Sequence, residues 1–283
     1  EHAIQAARAL KVTWRPAPPL VDLSNLRTAV SQHVFTPRLL KDTPFESNGP
    51  ESTITLSREY VWPYQLHGSI GPSCAVALYQ PDHVQIWSGT QNPHMLRTQL
   101  SELFQIDEGR IEIIRHEASG CYGRNCADDV CADALLISQL TQRPIRVQLS
   151  REQEHAWEPK GAAQLMKSTA SISANGDLLR YEFQTHYPSN DAPLLAGLLI
   201  GKFSTEPRTL QMGDRTAVPP YAYQSQHIVC NDMAPLVRAS WLRGVSALPN
   251  SFAHDCMIDE LAHAAHQDPV AFRVKHLHED PRA

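Results

Sequence analysis

Three short stretches, far apart in the chain, carry residues suited to gripping a polar ligand. The stretch "EASGCYGRN" holds Gly120 and Gly123 in G-x-x-G spacing, between a strand-like run and a helix-like run. Backbone N–H groups unhindered by side chains, beside the positive end of a helix, can hold an anion such as a phosphate or a pterin oxygen. The same spacing also suits a structural turn, and Asp128 and Asp129 just beyond it favour the helix dipole while opposing an anion. Gln91 in "GTQNP" follows a strand and precedes a helix start. Its amide, both donor and acceptor, either projects into the same crevice as Gly120 or satisfies its own loop. In "RASWLRGVSALPN", Arg238 and Arg243 flank Trp241 ahead of Gly244. They make either a bidentate clamp for phosphate or carboxylate, or a surface arginine pair.

Other chemistries find less support. Cys121, Cys126 and Cys131 recur every five residues, which on a helix rotates each by about 140° from the last, so they cannot converge on one metal and are expected as buried free thiols. The fourteen histidines include no H-E-x-x-H pattern, and no G-x-S-x-G elbow is present, so metal and hydrolase sites are not expected. A Rossmann fingerprint needs G-x-G-x-x-G, but position 118 is Ala118. A net charge of -5 gives no basic footprint for nucleic acid, and no window reaches the roughly 20 apolar residues of a membrane span.

The elements that must position these stretches follow from period. "EHAIQAARALKVTW" reads as a helix running into a strand, and the chain reads as an excised or processed piece. Pro16 to Pro50, rich in Pro, Ser, Thr and Asn, reads as a linker with one short helix near Leu23 to Val30. "STITLSREYVW" alternates as an edge strand, and "SCAVALYQPDHVQIWSG" as two strands around Pro81 and Asp82. A helix with Asn92 at its cap, the strand "RIEIIRH", a second helix of about four turns from Cys126 and the strand "RPIRVQLS" follow. The order strand, helix, strand, helix, strand predicts parallel pairing, with loops at the carboxyl ends of the strands open to ligands. A hairpin is expected around Asn175 and Gly176, a helix capped by Ser251, and another capped by Asp268 with Pro269 just inside. Pro188 to Tyr221 shows no firm period.

Taken in order, "WSGTQNPHMLRTQLSELF", "EASGCYGRNCADDVCADALLISQLTQRPIRVQLSREQEH" and "RASWLRGVSALPNSFAHDCMIDELAHAAHQDPVAFRVKHL" resemble the molybdopterin-binding subunit of the xanthine dehydrogenase family. The likeness is greatest to the bacterial isoquinoline oxidoreductase and nicotinate dehydrogenase type. It runs the length of the chain, and its last stretch is specific because "WLRGV", "LPN", "DEL" and "DP" come in fixed order. The resemblance implies an α+β fold, a mixed α/β molybdopterin-binding domain with the strand-helix-strand-helix-strand core. Residues 1–50 would be the tail of a preceding hammerhead-like domain and a linker, and 51–283 the first molybdopterin-binding domain, with the second domain absent.

The resemblance also implies roles. Gln91 would hydrogen-bond an oxygen on the molybdenum, and Gly120, Cys121, Tyr122, Gly123 and Arg124 would lay backbone N–H groups beside pterin and metal. Arg243 and Gly244 would complete the site. The implied cofactors are molybdenum-molybdopterin, in its cytosine dinucleotide form, and 2Fe-2S clusters on an iron-sulfur small subunit, with a cytochrome c as electron acceptor. The implied substrate is a small heteroaromatic compound or an aldehyde. No catalytic base is expected in this piece, because the family's essential glutamate lies in the second domain. Two departures stand out. The family's GGGFG loop is here "SGCYG", which adds the side chains of Ser119 and Cys121, and an "HxxxEPN"-like segment becomes "HGSIGPSC", with Gly71 where a glutamate would stand. The alternatives are a nicotinamide- or flavin-dependent dehydrogenase using Gly120 to Arg124 as a phosphate loop, and a non-catalytic fragment that only associates with a partner subunit.

Overall fold

The computed structural model describes residues 2–13, 19–44 and 51–277. Helix α1 (His2–Ala9), a 3-10 turn at Leu23–Asn25 and helix α2 (Leu26–Ser31) lead into strands β1 (Phe35–Thr43), β2 (Ile54–Trp62), β3 (Cys74–Tyr79) and β4 (Val84–Ser88). Next come α3 (Pro93–Phe104), β5 (Ile111–Arg115), α4 (Asp129–Thr141), β6 (Ile145–Gln148) and α5 (Arg151–Trp157). The last part runs β7 (Lys160–Gly161), β8 (Gln164–Ile172), β9 (Leu178–Pro188), α6 (Leu195–Leu199), β10 (Ser225–Met233), β11 (Ala239–Ser240), α7 (Ala247–Ala264) and α8 (Pro269–His276).

Two large sheets carry the described residues, and β11 and β7 pair in parallel as a third, two-stranded one. The smaller of the two large sheets has the order β5-β4-β3-β6, with β4 and β5 parallel. The parallel series expected from period stops there: β6 pairs antiparallel with β3, because the β3–β4 hairpin already occupies that side of β4. Leu96, Leu100 and Leu103 of α3 and Val130, Ala134 and Leu135 of α4 pack into one apolar cluster with Ala77, Val84 and Ile86. That packing fixes the loops leaving β4 and β5 side by side.

The larger sheet has the order β1-β10-β9-β8-β2, so "STITLSREYVW" does form an edge strand. Residues 35–43, expected as linker, form the opposite edge, antiparallel to β10. No residue of β1 is fully buried and Pro37 lies within it, so the segment lacks the apolar alternation that would mark a strand; its pairing partner lies nearly the whole chain away. The expected strand after α1 does not form over Leu10–Thr13, and its end at Trp14, like the linker ends 16–18 and 45–50, lies outside the described residues. Helices α7 and α8 cover the larger sheet, burying Met257, Leu261 and Phe272 against Met166, Tyr181 and Phe183. Helix α7 starts at Ala247, so Ser251 is inside it and is not its cap; the Ser251 hydroxyl instead meets that of Thr216 at 3.1 Å. Asp268 caps α8 as expected, accepting from the N–H groups of Val270 and Ala271.

Two buried histidines give the larger sheet a pH dependence. His254 accepts from the Tyr181 hydroxyl at 2.8 Å and donates to the Thr216 carbonyl at 3.0 Å, a pattern satisfied by the neutral ring, and burial pushes it down to about 4. Burial, aided by the charge of Lys167, also pushes His186 down to about 4. An unfolded histidine titrates near 6.5. Between these values the unfolded chain binds protons that the native chain refuses, so stability should fall as pH drops through that window and level off below it. The slope is roughly 1.4 kcal/mol per pH unit for each ring. Urea midpoints measured from pH 7 to 4 should show it, and His254→Gln should remove about half. An unchanged slope in that variant would refute the assignment.

Candidate functional site

The three stretches converge. Gln91 lies between β4 and α3, residues 116–128 join β5 to α4, and Arg243 and Gly244 lie between β11 and α7. Residues 122–124 and 241–243 form a short antiparallel bridge centred on Gly123 and Leu242: Arg124 N–H donates to the Trp241 carbonyl at 2.8 Å, and Arg243 N–H to the Tyr122 carbonyl at 2.7 Å. Gly123 N–H donates to Gln91 Oε1 at 2.8 Å, tying the first stretch to the second. A carboxamide oxygen used this way leaves the Gln91 amine without a partner among the described residues, on an exposed side chain.

The loop backbone explains its glycines. Gly123 has φ +125°, and a Cβ there would overlap the Trp241 carbonyl oxygen; Gly120 has φ +113°, and a Cβ there would meet the Tyr122 ring at 2.7 Å. Tyr122 itself is left-handed, at φ 55°. The N–H groups of Gly120, Cys121 and Tyr122 have no hydrogen-bond partner among the described residues, whereas those of Gly123 and Arg124 are taken up inside the protein. Of the five expected backbone donors, those of Gly123 and Arg124 are thus occupied within the protein, and the other three have no partner among the described residues. A cleft of about 310 Å³ opens against the same loops, bounded by Gly89, Ser119, Gly120 and Trp87.

The two side chains that depart from the glycine-rich pattern are stowed. Cys121 is buried, with its thiol at 3.2 Å from the Gly123 carbonyl and 3.3 Å from Asn125 Oδ1, and burial pushes the thiol up. Ser119 Oγ accepts from Gly71 N–H at 2.9 Å and occupies the place a Cβ at position 71 would need. The absence of a side chain at Gly71 and the Ser119 hydroxyl thus fit each other. Cys126 and Cys131 are buried, as the expectation of core thiols requires.

The charged neighbours were not all legible. Arg124 is buried, with Nε donating to Asp128 Oδ2 at 2.7 Å and Nη2 to Gln99 at 2.6 Å. The Thr90 hydroxyl donates to the other Asp128 oxygen at 2.5 Å, so the residue before Gln91 is pinned to the helix start. Burial pushes the Asp128 carboxyl up, and Arg124 and Thr90 oppose it. Arg238 does not clamp a ligand with Arg243. Its guanidinium is directed to Asp129 at 2.7 and 3.0 Å and to the Pro193 carbonyl, because a carboxylate buried at the start of α4 requires a cation. Asp128 and Asp129 are therefore matched by Arg124 and Arg238 and do not stand as free charges against an anion. The exposed Arg243 has no side-chain partner among the described residues.

On this α+β frame the loops after β4 and β5 meet the stretch before α7, and among the described residues the N–H groups of Gly120–Tyr122, the Gln91 amine and the Arg243 guanidinium have no partner. The chain belongs to the molybdopterin cofactor-binding domain family, whose model matches residues 42–277. It is 57% identical over 285 residues to a nicotinate dehydrogenase subunit of Pseudomonas putida, a match that covers 100% of this chain and 24% of that protein. The chain thus spans about a quarter of the length of this relative. Its fold superimposes on aldehyde oxidoreductase from Desulfovibrio desulfuricans with a TM-score of 0.73 and 16% identity, over 97% of this chain and 30% of that one. Quinoline 2-oxidoreductase from Pseudomonas putida gives 0.71 and 16%, over 97% and 35%.

Proposed function

We propose that this chain is the first molybdopterin-binding portion of a molybdenum hydroxylase acting on an N-heteroaromatic compound such as nicotinate or isoquinoline, or on an aldehyde. The observation that carries it is that the Gln91 side chain and the Arg243 backbone both bind the Gly120–Arg124 loop. The 57% identity to a nicotinate dehydrogenase component supports the heteroaromatic acid as first choice of substrate. When bound, the cofactor supplies insertion of a water-derived oxygen at an electron-poor carbon.

The chain's own residues bind and orient. The unpaired N–H groups of Gly120, Cys121 and Tyr122 would hold oxygens of the pterin and of the metal side. Gln91 uses its oxygen to hold Gly123, and its amine would donate toward the cofactor, so that one side chain would couple loop position to charge stabilisation. The Arg243 guanidinium suits a phosphate of the pterin, including that of a cytosine dinucleotide form. The unpaired loop donors equally suit the phosphates of a nicotinamide or flavin cofactor, though the third glycine is lacking. We place the base outside residues 1–283, the first molybdopterin-binding domain in 51–283, and a hammerhead-like tail and linker in 1–50. Electrons would leave through 2Fe-2S clusters of an iron-sulfur small subunit, toward an acceptor such as a cytochrome c.

The test is composition and turnover of the complete, partner-bound enzyme. It should release a molybdopterin cytosine dinucleotide and oxidise nicotinate without added nicotinamide cofactor, while the 283-residue piece alone turns over none. Activity that tracks added NAD and no molybdenum would establish the dehydrogenase alternative instead.

A further inference from the structure

The segment His67–Ser73, which carries Gly71, is the hub on which the converging loops rest. It is held from behind by one face of α5, through residues at three- and four-residue spacing. Arg151 Nη2 donates to the carbonyls of Ser69 at 2.7 Å and Ile70 at 2.5 Å, and the buried Glu154 accepts from Ser73 N–H at 2.9 Å and its hydroxyl at 2.8 Å. Glu158, just past the helix end, accepts from His67 N–H at 2.5 Å and faces its ring Nδ1 at 3.3 Å. On the other side, Ser119 binds Gly71 and Ile70, and His67 Nε2 lies 2.8 Å from the Trp241 carbonyl.

The His67–Glu158 pair is almost wholly buried, with side chains 0% and 1% exposed. A carbonyl only accepts, so Nε2 carries a proton; a proton must also lie between Nδ1 and Glu158, since two lone pairs facing each other would repel. Burial pushes the Glu158 carboxyl up, but hydrogen bonds from the His67 ring and backbone, with the charges of His67 and Lys160, outweigh it and hold it below the usual range. Glu158 Oε2 is buried without a partner. Such a pair is weak evidence of a stabilising role, because well-packed apolar replacements commonly do as well. What it holds is specific: the Trp241 oxygen also accepts from Arg124 N–H, and Gly123 lies so close that a Cβ would overlap it.

We propose that His67 and Glu158 are positioning residues for the cofactor loop: by fixing the Trp241 carbonyl they set where Gly123 and Arg124 rest, and with them the unpaired N–H groups of Gly120–Tyr122. This rests on the molybdopterin assignment above. Glu158→Ala frees the ring to turn from the carbonyl, whereas Glu158→Gln keeps an oxygen for His67 N–H but cannot also give Nδ1 a donor from that same position, so the hold on the ring is weakened and not removed. His67→Gln is a second, near-isosteric disruption should Glu158→Ala not fold.

The variants are made in the complete, partner-bound enzyme. Three quantities are read: oxidised-pterin fluorescence and molybdenum per folded protein, the rate of pterin release on gel filtration, and amide hydrogen exchange at Arg124. Glu158→Ala and His67→Gln should retain about tenfold less cofactor, which corresponds to ~1.4 kcal/mol, with faster exchange at Arg124. Glu158→Gln should fall between wild type and Glu158→Ala. Wild-type retention in both disrupting variants overturns the proposal, as does cofactor loss with unchanged exchange at Arg124, since the hold on Trp241 would then not be what matters. A wild-type enzyme that carries no molybdopterin would instead refute the underlying assignment.

Discussion

Gln91→Ala in the complete enzyme should cut turnover per bound molybdenum by on the order of a hundredfold, the ~3 kcal/mol that one lost donor to developing charge typically costs in a preorganised site. The geometry adds a complication that the motif alone did not reveal. Gln91 Oε1 also accepts from Gly123 N–H at 2.8 Å, so the alanine variant gives up a loop contact worth about 1 kcal/mol in stability. Gln91→Glu separates the two roles. A carboxylate still accepts from Gly123 and keeps the loop in place, but it has no N–H to offer. Both variants should lose turnover, and Gln91→Glu should keep wild-type molybdenum content. If Gln91→Ala retains wild-type turnover per molybdenum, the side chain only ties the loop, and its assignment to the cofactor is wrong.

Gly123→Val should have the largest effect on cofactor retention. At φ +125° an L side chain is strained by about 1–3 kcal/mol, and here the added carbons also run into the Trp241 carbonyl. Backbone cannot swing aside as a flexible side chain does, so the bridge from Gly123 to Leu242 must open, taking the Arg124 and Arg243 hydrogen bonds with it. Molybdenum per folded protein should drop by at least about tenfold, the equivalent of ~1.4 kcal/mol at the cofactor, beyond what a lowered melting temperature explains. Metal analysis beside a melting curve decides the matter. Lost stability with proportionate metal content would make Gly123 a structural turn only.

Much of this site was legible because its parts are short and local. Asn92–Pro93 before Leu96, Leu100 and Leu103 marks where a helix starts and which face it buries, and the alternation of Val84, Ile86 and Ser88 marks a strand. Gln91 and the Gly120–Arg124 loop follow from those boundaries, and the family resemblance added Arg243 and Gly244. The helix α5 also had a local signal that went unread: Ser150 and Gln153 form a capping box, each side chain binding the other's backbone.

What the sequence determined alone was the type of each local element and the loops between them, since periods of two and 3.6 residues are set by a chain's near neighbours. Tertiary structure decided everything that depends on a partner distant in sequence. It made β1 a strand by giving it β10, and it sent β6 to β3. It spent Arg238 on Asp129 and Arg124 on Asp128 and Gln99, and it fitted the Ser119 hydroxyl into the space left by Gly71. No spacing along the chain encodes these choices. A buried charge takes whichever counter-charge the packed elements bring within about 3 Å, and only the packing of both sheets fixes which one that is.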